Sequence, residues 1–495
     1  MKDWLKLKKY THFSVQYEHG QIPFIRAYVS NPEKISKHRF HPFIHYTIQA
    51  NRFRREKDIS GQKSPTREKS NKKREIFYAD HLDAQVFAYY GNILNEKLEA
   101  VYSQNGSLNN SVIAYRAIKC DENRNKCNID FANEVFQYVL DSENDKIAVL
   151  CFDIKSFFDT LDHNLLKKAW CKILDRKNLE KDHYKVFKAI TKFTYVELGD
   201  IINEFKELKI QKVQYLKKKD VGAFCKSGEE FRQRVKNKRL INYNKFDFKN
   251  NKVRTFGIPQ GSPISAVLSN LYLLRFDEEM VKRATGVCGL YRRYSDDILF
   301  ICPVSVVDEI KNFVYSFIRN ELSLIIQEEK TQEVIFTRVK NNKLVKWECS
   351  TIENNVIKPA LLSYLGFDFD GNNIRIRQKG LSLYYRNLKR MIRRRARYAF
   401  YAKRHNFRHP NRKKDAWIYR QRIYKTKSHL GAKRKKVDGK VFWGNYISYI
   451  KTASKIMGQP ALLKQIRNHW KIIERQIKEF EIAHELEKTP SKRGK

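Results

Sequence analysis

The clearest signal along the chain is a run of six apolar residues, Ile147-Ala148-Val149-Leu150-Cys151-Phe152. It is short, partly β-branched and unbroken by polar positions, so it predicts a strand buried on both faces, with Asp153 at its C-terminal end. Upstream the period changes. From about Ala79, the residues Leu82, Val86, Tyr89, Tyr90, Ile93, Leu94 and Leu98 recur at helical spacing. Leu161 to about Thr194 reads as mostly helical. Tyr291 to Cys302 reads as a hairpin with its turn at Ser295-Asp296, and a further strand is predicted near Leu361 to Phe369. Ser262-Pro263 predicts a helix start, because Ser caps well and Pro suits the first helical position. Ile264, Val267, Leu268 and Leu271 give that helix an apolar face.

Between these elements the pattern weakens. The first ~55 residues mix aromatic and basic positions and read as an ordered extension with short elements. Ser60 to Lys73 is polar and turn-rich, as an exposed linker is. Residues 200 to 250 show few periods and read as an insertion or long loop. From Ser382 onward the chain reads as helical, with a last helix at about Leu462 to Leu486. Thr489 to Lys495 reads as a disordered tail.

Charge changes this picture. The 495 residues carry 99 Lys and Arg against 54 Asp and Glu, a formal net charge of +45. Such a field repels itself unless a polyanion neutralises it, which points to nucleic acid. No apolar run approaches the ~20 residues of a membrane span, and Met1-Lys2-Asp3-Trp4 lacks the apolar core of a signal peptide. The eight cysteines contain no C-x-x-C pair, so the economical reading is reduced thiols in the cytoplasm. His38, His41 and His45 form a short cluster without an evident metal partner; surface or phosphate contacts are the reading preferred there.

The acidic residues suggest the chemistry. Nucleotide transfer gathers negative charge at a phosphate, and two divalent ions about 3.5–4 Å apart can stabilise it. Such ions need carboxylates held rigidly near solvent. Asp153 follows a buried strand, and Asp296 and Asp297 lie at the expected hairpin tip. Side by side, these strands would bring the three carboxylates together.

One further segment makes the pattern specific. The order Phe152-Asp153-Ile154-Lys155-Ser156-Phe157-Phe158-Asp159, then Gly257-Ile258-Pro259-Gln260-Gly261-Ser262-Pro263-Ile264-Ser265, then Tyr294-Ser295-Asp296-Asp297, resembles the palm signature of reverse transcriptases. Arg74-Glu75-Ile76 is similar to the family's fingers segment. Glu329-Lys330-Thr331 and Tyr364-Leu365-Gly366-Phe367 are similar to its later palm and primer-grip motifs. The stretch between His163 and Gly257 is longer than a minimal palm requires. In this it resembles the bacterial abortive-infection and unknown-group enzymes, many of which act in phage defence.

The resemblance implies an α+β right-hand polymerase: fingers and palm, with an antiparallel sheet flanked by helices, and a basic helical thumb. The implied division is an N-terminal extension and linker at 1–71, fingers and palm at 72–375 with an insertion at about 195–250, and a thumb-like domain at 376–495. It implies Asp153, Asp296, Asp297 and the Ile154 carbonyl as ligands of two Mg²⁺ ions, with Mn²⁺ as a substitute. Gln260 and Gly261 would line the nucleotide pocket, Gly261 because a residue without Cβ lets the backbone approach the incoming base and sugar. Phe158 would exclude a 2′-hydroxyl, with Phe157 as the competitor. Arg74, with Lys72 or Lys73, would clamp the triphosphate, and Lys330 would pair with or protonate the leaving pyrophosphate. The implied partners are dNTPs, a DNA product and an RNA template or noncoding RNA; a homo-oligomer is compatible.

The C-terminal third reinforces the nucleic-acid reading. Arg393, Arg394, Arg395, Lys413, Lys414, Lys435 and Lys436 are interleaved with Tyr384, Tyr385, Tyr398, Tyr401, Trp417, Tyr419 and Tyr424. Cations can track phosphates while rings stack on bases; half of these tyrosines read instead as helical core. The competing readings are a group II intron or retron enzyme, untemplated DNA synthesis, and a non-catalytic RNA-binding scaffold.

Overall fold

A computed structural model describes residues 3–54, 68–122, 124–208, 221–244, 246–247, 252–341, 344–353, 356–412, 414–431, 435–437, 440–442 and 444–486. The chain divides into two compact units, each built from several stretches: 1–116, 151–300 and 308–331 form the first, and 117–150, 301–307 and 332–495 the second.

In the first unit, strand β1 (Phe43–Arg54) pairs antiparallel with β2 (Glu68–Tyr78), Ile44 opposite Tyr78 and Ile48 opposite Arg74. β1 also pairs in parallel with β4 (Thr194–Glu197), and Asn242–Tyr243 closes a four-stranded sheet. Residues 68–73 thus belong to a strand and not to a linker, because cross-strand hydrogen bonding organises even a polar sequence; residues 60–67 lie outside the described residues. Helix α1 (His81–Gln104) buries Val86, Tyr90, Leu94 and Leu98, as its period predicts. The hairpin is formed by β5 (Leu290–Tyr294) and β6 (Asp297–Pro303), and the apolar run is β3 (Lys146–Asp153). β3 and β6 each pass from one unit into the other; within the first unit the strand order is β3-β6-β5.

Residues 200–250, read as an insertion or long loop, hold regular structure where they are described. They hold the helix Leu198–Glu204, a Ser227-capped turn of helix Gly228–Phe231 and a wide turn Arg232–Lys236. Phe205, Phe224, Cys225 and Val235 pack with Phe13, Ile44 and Val196 in one core. That core is assembled from distant segments, tied by Phe224 N–H to His12 O at 2.8 Å, so no local period announces it. Helix α2 (Ser265–Gly286) starts two residues later than Ser262-Pro263 suggests. Gly261 has φ +116° and the Ser262 hydroxyl has no hydrogen-bond partner, while the Ser265 hydroxyl donates to Pro259 O at 2.8 Å. The segment before Ser265 is held as a turn instead.

In the second unit, β7 (Gln332–Asn341) pairs with β8 (Leu344–Glu353), which pairs with β9 (Val356–Pro359), all antiparallel; the order here is β9-β8-β7-β3. The strand foreseen near 361–369 is two strands, Leu362–Tyr364 and Phe367–Phe369, reversing at Leu365-Gly366, whose φ values are +43° and +96°. Helix α3 (Gln378–Arg408) runs 31 residues and buries Leu388, Ile392 and Ala396 against Ile418, Ile423, Ile473 and Ile477. Helical from Ser382 onward holds only in part, since Lys435–Val437 and Lys440–Phe442 form a small hairpin. The last helix is two, Ala461–Lys464 and His469–Ala483. Residues 489–495 lie outside the described residues. Among the described residues no helix is long and apolar enough to cross a membrane, and none of the eight cysteines is joined in a disulfide.

Candidate active site

The site begins with backbone pairing. The Ile154 N–H donates to Asp296 O at 3.2 Å, which sets the end of β3 beside the hairpin tip. A third segment joins on the other side: Gln327 N–H donates to Asp153 O and Lys155 N–H to Ile325 O, both at 2.8 Å. Three distant pieces of chain therefore meet at Asp153.

Side chains complete it. The Lys330 ammonium lies 2.5 Å from Asp153 Oδ1. Asp296 is half-buried, and burial, followed by the neighbouring charge of Asp153, holds its carboxyl above the usual range despite donors from its own backbone and Ser295 and the Lys330 charge. Asp297 is exposed at the first position of β6. Its charge reaches Cys151, whose thiol is pushed up to about 12, chiefly by burial. Asp153 and Asp296 are thus a close pair. Among the described residues no group of three or more His, Cys, Asp and Glu side chains is arranged to hold a metal ion.

The donor set still suits a hard divalent cation. The carboxylates of Asp153 and Asp296 are near neighbours that supply hard oxygen donors, and Lys330 brings one positive charge to Asp153. Asp153 and Asp296 are the residues that would hold such an ion.

The tip is supported from within. Arg293 and Asp277 are both fully buried and pair through two bonds of 2.6 Å. The same guanidinium donates to Ser295 O at 3.1 Å and to Asn270 Oδ1 at 3.2 Å, and Tyr291 OH donates to Asp277 at 2.6 Å. Ser295 adopts φ +61°, and its hydroxyl shares a 3.0 Å hydrogen bond with Tyr115, itself at φ +64° and half exposed. Non-glycine residues in this region hold a strained backbone that surrounding contacts must impose. None of Arg293, Asp277, Asn270 or Tyr115 was singled out by sequence reasoning. The available signal was Arg293 itself, a charge at an inward position of an alternating strand.

The loop 257–261 is pinned to neighbouring backbone. Phe77 N–H donates to Gln260 O at 2.9 Å, and a Cβ on Gly261 would sit 2.7 Å from Phe77 O. Glycine is required here because β2 passes so close; in the structure it is protein backbone that makes the approach. Likewise a Cβ on Gly257 would meet Asp159 O at 2.9 Å. Ile258 N–H donates to Phe158 O at 2.8 Å, so the segment after β3 and this loop are joined. Phe157 is buried, whereas Phe158 keeps an accessible edge. Arg74 and Lys73 are exposed on β2.

The remaining candidates lie elsewhere. Arg393 and Arg394 are exposed on α3, while Arg395 is half-buried. Lys414 is exposed, its N–H bonded to Asn406 Oδ1 at 2.6 Å. Lys413 lies outside the described residues, as do the side chains of Lys72, Lys435 and Lys436. Of the histidine cluster, His38 is buried between Tyr28 OH and Asp83, each at 2.8 Å. His45 lies between Glu197 at 2.8 Å and Glu75 at 2.7 Å. The surface or phosphate role expected for these two gives way to internal pairing, because neighbouring carboxylates occupy both rings.

No family model matches the chain, and no curated protein matches it. Among solved structures the chain is similar to an apo telomerase from Candida tropicalis truncated from the C-terminal domain, at 12% identity and TM-score 0.37, covering 73% of this chain and 61% of that one. It is also similar to a telomerase from Candida albicans in complex with a fragment of telomeric RNA, at 15% identity and TM-score 0.37, covering 72% and 49%. The chain thus spans about half to three-fifths of the length of these structures.

Proposed function

We propose that this protein is an RNA-directed DNA polymerase that adds deoxynucleotides by a two-metal mechanism. The observation that carries the reading is the meeting of Asp153 and Asp296 across the Ile154–Asp296 backbone bond, with Lys330 on the same carboxylate. The ordered motifs of the sequence support it, as does the loop of Gln260 and Gly261 pinned to the strand that carries Arg74.

In this reading a primer 3′-oxygen forms a bond to the α-phosphorus while the bond to pyrophosphate breaks. Mg²⁺, or Mn²⁺ in its place, would supply charge stabilisation to the attacking and leaving oxygens. Asp153 and Asp296 would hold the metal, with Asp297 and the Ile154 carbonyl assisting. Lys330 would pair with the leaving pyrophosphate or give it a proton. Arg74 meets the triphosphate. Phe158, with its free edge, faces the sugar in preference to the buried Phe157. The 72–375 segment serves as fingers and palm, and 376–495 as a basic thumb that holds an RNA template or noncoding RNA. The resemblance to abortive-infection and unknown-group enzymes supports a role in bacterial phage defence.

The test uses the full chain purified with its bound RNA. All four dNTPs or each singly are added with Mg²⁺, and the product is sequenced. DNA complementary to the bound RNA is the expected product. Low-complexity DNA that survives ribonuclease pretreatment would mean untemplated synthesis, and bound RNA without any product would overturn the polymerase reading.

A further inference from the structure

Helix α3 contains eleven Lys and Arg and no Asp or Glu. Arg386, Arg390, Arg393, Arg397, Arg404 and Arg408 follow one another at spacings of three, four or seven, so they share one face, opposite the buried Leu388, Ile392 and Ala396. None of these arginines makes an ion pair among the described residues. Like charges at this spacing destabilise a helix. An ordinary solvated helix relieves them with acidic residues one turn away, and α3 itself contains none.

Aromatic residues are exposed on the same helix. Phe407 is 92% exposed, and Tyr398 and Tyr401 are 61% and 64% exposed. A lone exposed ring needs no explanation, but three on one basic helix form a pattern. At the helix end there is a cleft of about 540 Å³, lined by Phe400, Arg404, Phe407, Arg408, Ala483 and His484, with Lys403 and Glu485 at its side. The guanidinium of Arg404 lies 4.6 Å from the centre of the Phe400 ring, and His484 lies 5.4 Å from the same ring. Glu485 is the acid in the cleft, and Lys403 takes it up, donating to its carboxylate at 3.3 Å and to its carbonyl at 2.8 Å.

We propose that this cleft holds an unpaired nucleobase of a single-stranded nucleic acid, whose adjoining phosphates lie along the Arg404 and Arg408 end of the stripe. A base offers a flat π-surface to the exposed Phe407 ring, and its backbone supplies the negative charge the helix lacks. A duplex presents the phosphates but keeps its bases stacked inside. The cleft therefore discriminates single strands from duplexes, while the upstream arginines hold either. The proposal rests on the reading of α3 as a nucleic-acid surface; it does not depend on catalysis.

The experiment measures binding of a twelve-nucleotide oligouridylate and of a duplex RNA with the same number of phosphates to the full-length protein, over a range of salt concentrations. For Phe407→Ala, single-strand affinity is expected to fall about five- to fifty-fold, on the scale of one lost stacking contact. Duplex affinity and both salt slopes should be unchanged, and Phe407→Trp should restore the loss. Phe407 is so exposed that its removal leaves the fold intact. Arg404→Gln with Arg408→Gln should weaken both ligands and flatten both slopes. An unchanged single-strand affinity in Phe407→Ala, or an equal loss on both ligands, overturns the base cleft while leaving the nucleic-acid surface in place. Failure of the wild-type protein to bind either ligand overturns both.

Discussion

The hairpin tip and helix α3 both gather charge, and they handle it in opposite ways. At the tip the charges are paired inside the chain. Arg293 is fully buried on Asp277, and Asp153 is matched by Lys330. On α3 the charges are exposed, of one sign, and without ion-pair partners along the stripe from Arg386 to Arg408 among the described residues. Burying an ion without a partner costs several kcal/mol, so an internal charge has to bring its own partner. An exposed cation can leave its partner to be supplied from outside. The first region therefore reads as a device for holding geometry, the second as a device for holding a polyanion.

The sharpest way to separate the two is to remove a carboxylate from the tip. Asp296→Asn is expected to lower nucleotide incorporation by ~10³-fold or more, with RNA binding within about twofold of wild type. Equal loss of both would mean that the tip and the basic helix are not separate devices.

The next largest effect concerns the support beneath the tip. Arg293→Met alone leaves Asp277 buried and unpaired, and should cost about 3–5 kcal/mol of stability in chemical denaturation. The combined variant Asp277→Leu, Tyr291→Phe, Arg293→Met removes both buried charges and the hydroxyl bonded to Asp277, leaving only the neutral acceptors Asn270 Oδ1 and Ser295 O, and should recover part of this loss. Incorporation by the combined variant should stay at least ~30-fold low, on the scale of one misplaced catalytic group, because nothing then holds the Ser295 carbonyl. Full recovery of both would reduce the ion pair to a packing element.

Neutralising part of the stripe probes the other side. Replacing Arg390, Arg393 and Arg397 with Gln should weaken RNA binding about ten- to a hundred-fold at low salt. It should also flatten the plot of log affinity against log salt by about two to three. Thermal stability should hold or rise, since like charges are removed from one helix face.

The smallest effect is on pH dependence. His81 is buried against Tyr10, at a ring separation of 5.3 Å, with neither ring nitrogen hydrogen-bonded, and burial lowers its pKa to about 4. Its folded value lies below its unfolded one near 6.5, so the unfolded chain binds the proton first as pH falls. Stability is then full above about 6.5 and declines down to about 4. Between pH 7 and 5.5 the loss from this group is on the order of 1 kcal/mol. His81→Phe should remove that part of the decline, measured as the difference in unfolding free energy between the two pH values.

Much of the site was legible because its pieces are local. A continuous apolar run announces β3 and places Asp153 at its end, and alternating positions around Ser295-Asp296 announce the hairpin. Helix α3 was legible for the same reason, since its apolar period and its basic positions lie within one segment. The supports of the site were not legible in this way. Nothing in the neighbourhood of Arg293 says that its partner is Asp277 on another element, or that the Ser295 carbonyl completes its bonding. Gly261 was expected to let the backbone approach a nucleotide, whereas the close neighbour in the structure is the backbone of Phe77, far away in sequence.

By itself, then, the sequence determined the elements that carry the site, the acidic pair's positions at their ends and the excess of positive charge, because hydrophobic period and charge are properties of neighbouring residues. Only the tertiary structure decided which carboxylates meet, that Lys330 lies on Asp153, that Asp297 stands exposed, and that the N-terminal segment shares a core with residues 221–235. Those outcomes depend on backbone pairing and burial between segments separated by scores of residues. The free energy of such contacts is set by what surrounds them in space and not by their order along the chain.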